Sequence, residues 1–291
     1  MVPEKPYRQL ADGRVLLDYG PMTLSISAMK NGAPVPAAAA LGAEKALAAF
    51  EELLPFLPQA KSYLPSLEHF ELENAPAVLS KMISSVRLLK DPTFTPMAAV
   101  AGSFSDLIRE EIVRSGSADY VVVNNGGDVS FDVADPRRAL SVGVISDIAA
   151  GRITHRLTVL GGQGIRGIAT SGFGGRSLSR GIASAVTVLA DTCALADAAA
   201  TDIANHTFIE SPAVRTCPAE QIDYDTDITG LTVVEEIGPL SREETLRAIE
   251  NGYARAKTLC DSGMIRGAVL FVRGLCAFFP DTLDIAELPQ P

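Results

Sequence analysis

The sequence has no tryptophan, and 11 Phe with 6 Tyr are its only aromatic residues, so its core must be aliphatic. Four cysteines, Cys193, Cys217, Cys260 and Cys276, lie far apart with no C-x-x-C pair. That spacing signals neither a zinc site nor a redox dithiol, and reduced thiols in a cytoplasmic protein are the expectation. Basic residues are outnumbered 25 to 35, for a net charge of −10, and no Lys/Arg cluster occurs. A nucleic-acid or anionic-membrane partner would need a basic stripe to displace counterions, so neither is expected. No apolar run is free of charge for the length of a membrane span. The most apolar stretch, Ala183 to Ala204, is interrupted by Asp191, Asp197 and Asp202. The first ten residues carry Glu4, Lys5 and Arg8 and do not read as a signal peptide. What is present is ordinary globular material, 47% hydrophobic and 21% charged over 291 residues. One domain over residues 1–291 is the expectation.

Two alternating runs, Arg14 to Tyr19 and Met22 to Met29, flank Gly20-Pro21 and predict a pair of strands. Helices are predicted over Ala37 to Leu54, Ala75 to Leu89 and Pro96 to Arg114, the last with Thr95 as N-cap and Pro96 at the first helical position. The pattern then changes to period two: Tyr120 to Asn124, Val129 to Val133, Leu140 to Ser146, Ile153 to Leu160 and Gly167 to Thr170 predict strands. Ser184 to Ala190 is apolar and β-branched enough for a strand covered on both faces. Asp191 is read as the cap of a helix from Thr192 to Asn205, and His206 to Gly230 as loop. A strand over Gly230 to Gly238, a helix opened by the capping box Ser241-Arg-Glu-Glu244, and a hairpin of Val269 to Arg273 with Leu275 to Phe279 close the chain. Helices and hairpins are mixed rather than alternating one for one, which predicts an α+β fold.

Three segments could carry chemistry. Asn124-Asn125-Gly126-Gly127-Asp128 offers free backbone amides and a carboxylate, although a type I′ hairpin turn uses the same residue types for local reasons alone. Ala169 to Ser177 is a strand end running into a Gly-rich turn that ends in Arg176, and open amides with an arginine suit a phosphate oxygen. It has neither the P-loop lysine nor the G-x-G-x-x-G spacing of a dinucleotide fold. Asp197 and Thr201 are four apart on one helix, so they share a face on which a carboxylate and a hydroxyl could meet Mg²⁺. The competing reading has Asp197 in water and Thr201 bonded back to its own helix. Asp223-Tyr-Asp225-Thr-Asp227 opens like a calcium loop, but Ile228 and Val234 stand where an EF-hand needs Gly and Glu.

Taken in order, NNGGD, ATSG and SAVTVLADTCALADAAAT resemble the ApbE superfamily, whose better-known members are FAD:protein FMN transferases. The family pattern is N-x-G-G-D, A-T-S-G, and V-T-V followed by A-D-A-x-A-T. The resemblance is good over Met97 to Asn205 and elsewhere holds only by element order. It implies an α+β fold related to tunnelling folds, with mixed antiparallel sheets and packed helices. It also implies a flavin-nucleotide (FAD) pocket lined by Asn125, Gly126, Gly127, Asp128, Thr170, Ser171 and Gly172. Asp197 and Thr201 would hold Mg²⁺ near the pyrophosphate, with the Ala101 carbonyl completing the site.

The chain departs from that pattern in two places. Gly102 stands where transferases carry a Lys, and the interval between ATSG and VTV lacks their His-x-x-Asp-Pro-x-Thr-Gly motif. In these features it looks like the shorter, largely uncharacterised ApbE-like branch. A non-catalytic flavin or metabolite binder is therefore the alternative to a transferase-like enzyme, as is a different small-molecule enzyme in which Asp106, Asp128 or Arg176 carries the chemistry. The expected partner is a nucleotide or other phosphate-bearing small molecule, with homodimerisation left open.

Overall fold

The computed structural model describes residues 6–289. The chain opens with β1 (Tyr7–Gln9), β2 (Val15–Tyr19), β3 (Met22–Lys30) and β4 (Ala33–Pro34), followed by α1 (Pro36–Leu53), α2 (Leu57–Ala60), α3 (Ala77–Leu89) and α4 (Val100–Arg114). Then come β5 (Tyr120–Asn125), β6 (Asp128–Val133), β7 (Ala139–Ile145), β8 (Ile153–Leu160), β9 (Gly167–Ser171), β10 (Ala185–Ala190) and α5 (Cys193–His206). The last third holds β11 (Val214–Pro218), α6 (Ala219–Ile222), β12 (Thr232–Ile237), α7 (Arg242–Asp261), β13 (Gly267–Val272), β14 (Leu275–Phe279) and β15 (Ile285–Glu287).

The main sheet runs in the order β1-β2-β3-β5-β6-β9-β10-β13-β14, with β4 added beside β3, and its pairings are antiparallel. Helices α3, α4, α5 and α7 cluster on one face; α4 packs on β5 and β6, and α5 on β9 and β10. The other face carries a small sheet in the order β15-β8-β7. This is an α+β architecture.

Period-two alternation explains the layers. On β10, Val186, Val188 and Ala190 join the core shared with α5, while Ala185 and Leu189 join the core under β7 and β8. Both faces of that strand are buried, as its unbroken apolar run requires. The alanine-rich α5 can approach its neighbours closely, and two glycines complete the fit. A Cβ at Gly167 would stand 2.1 Å from Cys193 N, and one at Gly102 would stand 2.3 Å from Cys193 O. The first turn of α5 is thus wedged between β9 and α4.

Four local expectations are corrected. Residues Pro96–Ala99 form a 3₁₀ turn ahead of α4, and the Thr95 hydroxyl donates to Asp227 instead of capping the helix. Thr192, not Asp191, caps α5, accepting from Leu195 N at 3.3 Å; Asp191 reaches out to Arg266. The stretch read as loop from 206 to 230 contains β11 and α6, because β11 finds a partner in β12. Residues 75 and 76 precede α3, which begins at Ala77. The Ser241–Glu244 capping box forms as expected.

Candidate functional site

The β5–β6 hairpin is a two-residue turn. Asn125 pairs with Asp128, and Gly126 and Gly127 between them have φ of 64° and 118°. Two successive positive φ values match the type I′ twist that joins antiparallel strands, and few residues besides glycine adopt them cheaply. Asn124 Oδ1 accepts from Gly127 N at 2.9 Å, so this asparagine serves the turn. The consequence is that Asp128 starts β6 with its carboxylate beside β9, where Oδ1 accepts from Thr170 N at 3.2 Å.

From the opposite side α5 presents Asp197. Its Oδ2 accepts from Gly102 N at 3.0 Å, so the carboxyl sits on the amides of the first turn of α4, the positive end of that helix. One turn further along α5, Thr201 donates to Ser171 Oγ at 3.2 Å, and Thr170 and Thr187 share a hydroxyl contact at 2.9 Å. Asn125 Nδ2 donates to the Ala101 carbonyl at 3.4 Å. The structure therefore brings Ala101, Asn125, Asp128, Thr170, Ser171, Asp197 and Thr201 around one point. There α4, α5, β9 and the glycine turn meet. Gly172 leaves β9 with its α-carbon against the backbone of Ala183 and Ala185, where a Cβ would stand 3.0 Å from Ala183 O.

Electrostatically this point is under tension. Burial pushes the Asp197 carboxyl well above the usual carboxylate range, and repulsion from Asp128 pushes it further. Burial also drives Asp128 up to about 7, against the opposing pull of the Thr170 amide and the Arg176 guanidinium. Two carboxyls share a poorly solvated space, and neither forms an ion pair within 4.0 Å among the described residues. Arg176 is exposed beside the turn, donating to Pro21 O at 3.2 Å and Thr23 Oγ1 at 3.4 Å.

Asp106 is placed differently from the other two residues considered for catalysis. It is fully buried, its Oδ2 accepts from Ala194 N at 2.9 Å, and its Oδ1 accepts from Ser130 Oγ at 2.6 Å and Arg109 Nη2 at 3.4 Å. It thereby ties the first turn of α5 to α4. Cys193, alongside, is a neutral thiol: burial, then the negative potential of Asp106, Asp128 and Asp197, push it well above its ordinary value.

Thr201 also reaches the wall of a cleft of about 510 Å³. Its inner wall is the start of α4 with Thr201 and Asn205, and its outer wall is the segment from Ile222 to Leu231. Arg176 and Arg180 both line it, and neither has a carboxylate partner within 4.0 Å among the described residues. Arg180 is held by Thr93, to whose Oγ1 it donates at 2.7 Å, and its own backbone N–H donates to Asn205 Oδ1 at 3.2 Å. Sequence reasoning missed Arg180 and the outer wall. The wall's signal was its three Asp and Gly230, which read as loop. The Asp223–Asp227 run does not converge: Asp225 pairs with Lys61 at 2.8 Å, and Asp227 accepts from Thr95. Among the described residues no cluster of three His, Cys, Asp or Glu side chains could hold a metal, and no helix is long and apolar enough to cross a membrane.

A UPF0280 protein of Methanopyrus kandleri is 39% identical over 163 residues, which cover 55% of this chain and 60% of that protein. One from Methanosarcina barkeri is 37% identical over 154 residues, covering 51% and 56%. Another, from Methanococcus vannielii, is 30% identical over 200 residues, covering 66% and 77%. Against the first two the match spans little more than half of the relative's length. The family model described as "AbpE bacteria" matches residues 7–278, nearly the whole chain, and the protein belongs to that family.

Proposed function

We propose that the protein binds a phosphate-bearing small molecule in the cleft, with a divalent cation between Asp197, Asp128 and Thr201. The observation that carries this reading is the Asp128–Asp197 pair, neither member of which forms an ion pair among the described residues, with Thr201 one turn further along α5 opening onto a cleft whose lining includes Arg176 and Arg180. A divalent cation would relieve the repulsion of two poorly solvated carboxyls. The donors at hand are carboxylate, hydroxyl and the Ala101 carbonyl, the hard oxygen set that suits Mg²⁺. That cation would neutralise charge on a phosphate, and Arg176 and Arg180 in the cleft lining would pair with its outer oxygens. The ligand class that the motif order supports is a flavin nucleotide such as FAD. An isoalloxazine ring in the cleft would rest on Met97, Ile228 and Phe94 of its lining.

Binding is favoured over FMN transfer by the surroundings of Gly102. A lysine at that position has no space, since even a Cβ would overlap the Cys193 carbonyl. No histidine lies between Gly172 and Ala185 to replace the one that transferases carry. Melting the protein with FAD, FMN or ADP, each with and without Mg²⁺, tests the reading. A rise in the midpoint that requires both nucleotide and Mg²⁺, and that disappears in Asp197→Ala, is expected. No rise with any pairing contradicts it. Mass spectrometry of acceptor proteins incubated with FAD and Mg²⁺ distinguishes the transferase alternative, which requires FMN-modified Thr or Ser.

A further inference from the structure

A second cleft, of about 440 Å³, lies where the small sheet meets the β13–β14 hairpin, and its chemistry differs from that of the first. His155 of β8 lies over Phe271 of β13, with ring centroids 4.9 Å apart. The ring's Nδ1 shares a hydrogen bond with Thr154 Oγ1 at 2.9 Å, while Nε2 has no partner among the described residues. Glu287 is opposite His155 in the β15–β8 register, so the two side chains share a face. Arg273 forms the rim. It occupies the first position of the two-residue turn between Val272 and Leu275 with φ of 48°, a conformation that costs any residue with a β-carbon. Its Nη2 donates to Ile237 O at 3.1 Å and Gly238 O at 2.7 Å, which fixes the guanidinium, while Nε and Nη1 have no partner among the described residues.

The charges in this cleft do not neutralise one another. Asp147 and Glu287 line it with Arg273, yet neither carboxylate forms an ion pair with the guanidinium within 4.0 Å among the described residues. Asp147 Oδ1 accepts from Ala150 N at 3.2 Å, and the Glu287 carboxylate has no hydrogen-bond partner among the described residues. Cys276, on the exposed wall, has its thiol pushed up to about 11 by desolvation and by Glu287, which disfavours the thiolate. One fixed cation set apart from two anions, above an aromatic floor, matches a small molecule that carries both signs of charge. Its volume falls in the range of small-molecule pockets.

We infer that this second cleft binds a small zwitterion of the amino-acid class, its carboxylate on Arg273 and its ammonium group on Glu287 and Asp147. The experiment is a thermal-shift screen of the full chain against the twenty standard amino acids at millimolar concentration, followed by titration calorimetry of those that act. At least one should raise the midpoint, and its affinity should fall at least about tenfold in Glu287→Gln, as expected for losing one charge-assisted hydrogen bond. The Glu287 side chain is exposed and makes no hydrogen bond or ion pair among the described residues, so Glu287→Gln should keep the wild-type midpoint without ligand. Arg273→Gln should lose binding as well, whereas Arg176→Gln in the other cleft should not. No amino acid raising the midpoint, or binding that is unchanged in both Glu287→Gln and Arg273→Gln, overturns the inference.

Discussion

Replacing Gly102 with alanine should destabilise the protein, although alanine is the better helix former. Gly102 lies within α4, so propensity alone favours the substitution by about 1 kcal/mol. Against this, the new methyl carbon would stand 2.3 Å from Cys193 O, 2.6 Å from Cys193 C and 2.8 Å from Ala194 N. All three are backbone atoms at the start of α5 and cannot rotate away. Restoring contact distance requires α4 and α5 to part by about 1 Å, in an interior that is close-packed and transmits strain. Overpacking of this kind costs roughly 1–3 kcal/mol, towards the upper end when backbone must move. The same displacement strains the hydrogen bond from Gly102 N to Asp197, worth about 1 kcal/mol. The sum is a loss of about 3 kcal/mol, read as a lower urea midpoint at unchanged slope. Two other helical glycines serve as controls. A Cβ at Gly42 would meet the Ile112 and Ile108 methyls at 2.8 and 2.9 Å, and one at Gly252 would meet Leu270 and Thr207 methyls at 2.7 Å. The end of Ile112 can turn, so Gly42→Ala should stay within about 1 kcal/mol of wild type, while Gly252→Ala should fall between Gly42→Ala and Gly102→Ala, because Thr207 is held by Ile182 N and Ala183 N. A Gly102→Ala protein as stable as either control would refute the close approach of α4 and α5, and with it the placement of Asp197 on the first turn of α4.

Thr207 is fully buried, and its hydroxyl accepts from Ile182 N and Ala183 N, both at 2.9 Å. Thr207→Val should cost about 2–3 kcal/mol by orphaning those amides, with Thr207→Ser much closer to wild type in the same urea titration. Asp106→Ala should cost about 2–4 kcal/mol because it orphans Ala194 N and takes from the buried Arg109 one of its two carboxylate partners, whereas Asp197→Ala should move the midpoint by no more than about 1 kcal/mol without ligand, the lost bond to Gly102 N being offset by relief of the repulsion from Asp128. Glu244 accepts from Ser211 and from the Ser241 amide, which lower it from 4.5 to about 2. A depressed carboxylate contributes stability above its unfolded value and loses it as pH falls towards the folded one. Glu244→Gln should therefore flatten the fall in stability between about pH 4.5 and 2, and an unchanged acid-unfolding profile would contradict the assignment.

Much of the fold was legible because its signals are local. The Ser241–Glu244 box, the Gly126–Gly127 turn and the unbroken apolar run of β10 each state their structure within a few residues. What the sequence could not state depends on partners far along the chain. β15 becomes a strand only because β8 offers it an edge, and β11 only because β12 does. Thr95 looks like a helix cap until Asp227 competes for its hydroxyl. The site shows the same division. Asp197 and Thr201 were readable as one helix face, and motif order pointed to Asp128, Thr170 and Ser171. That Asp106 is a buried anchor, and that Arg180 joins Arg176 in the cleft, follow only from how α4, α5 and the turn after β9 come together.

Titrating the protein with FAD while following flavin fluorescence, with Mg²⁺ and then with excess chelator, tests the central claim most directly. Saturable quenching that depends on Mg²⁺, is lost in Asp197→Ala and is weakened about tenfold in Arg176→Gln is the predicted result, one charge-assisted contact being worth about that factor. FAD binding that ignores both the chelator and Asp197→Ala, or no saturable binding under either condition, would contradict the account.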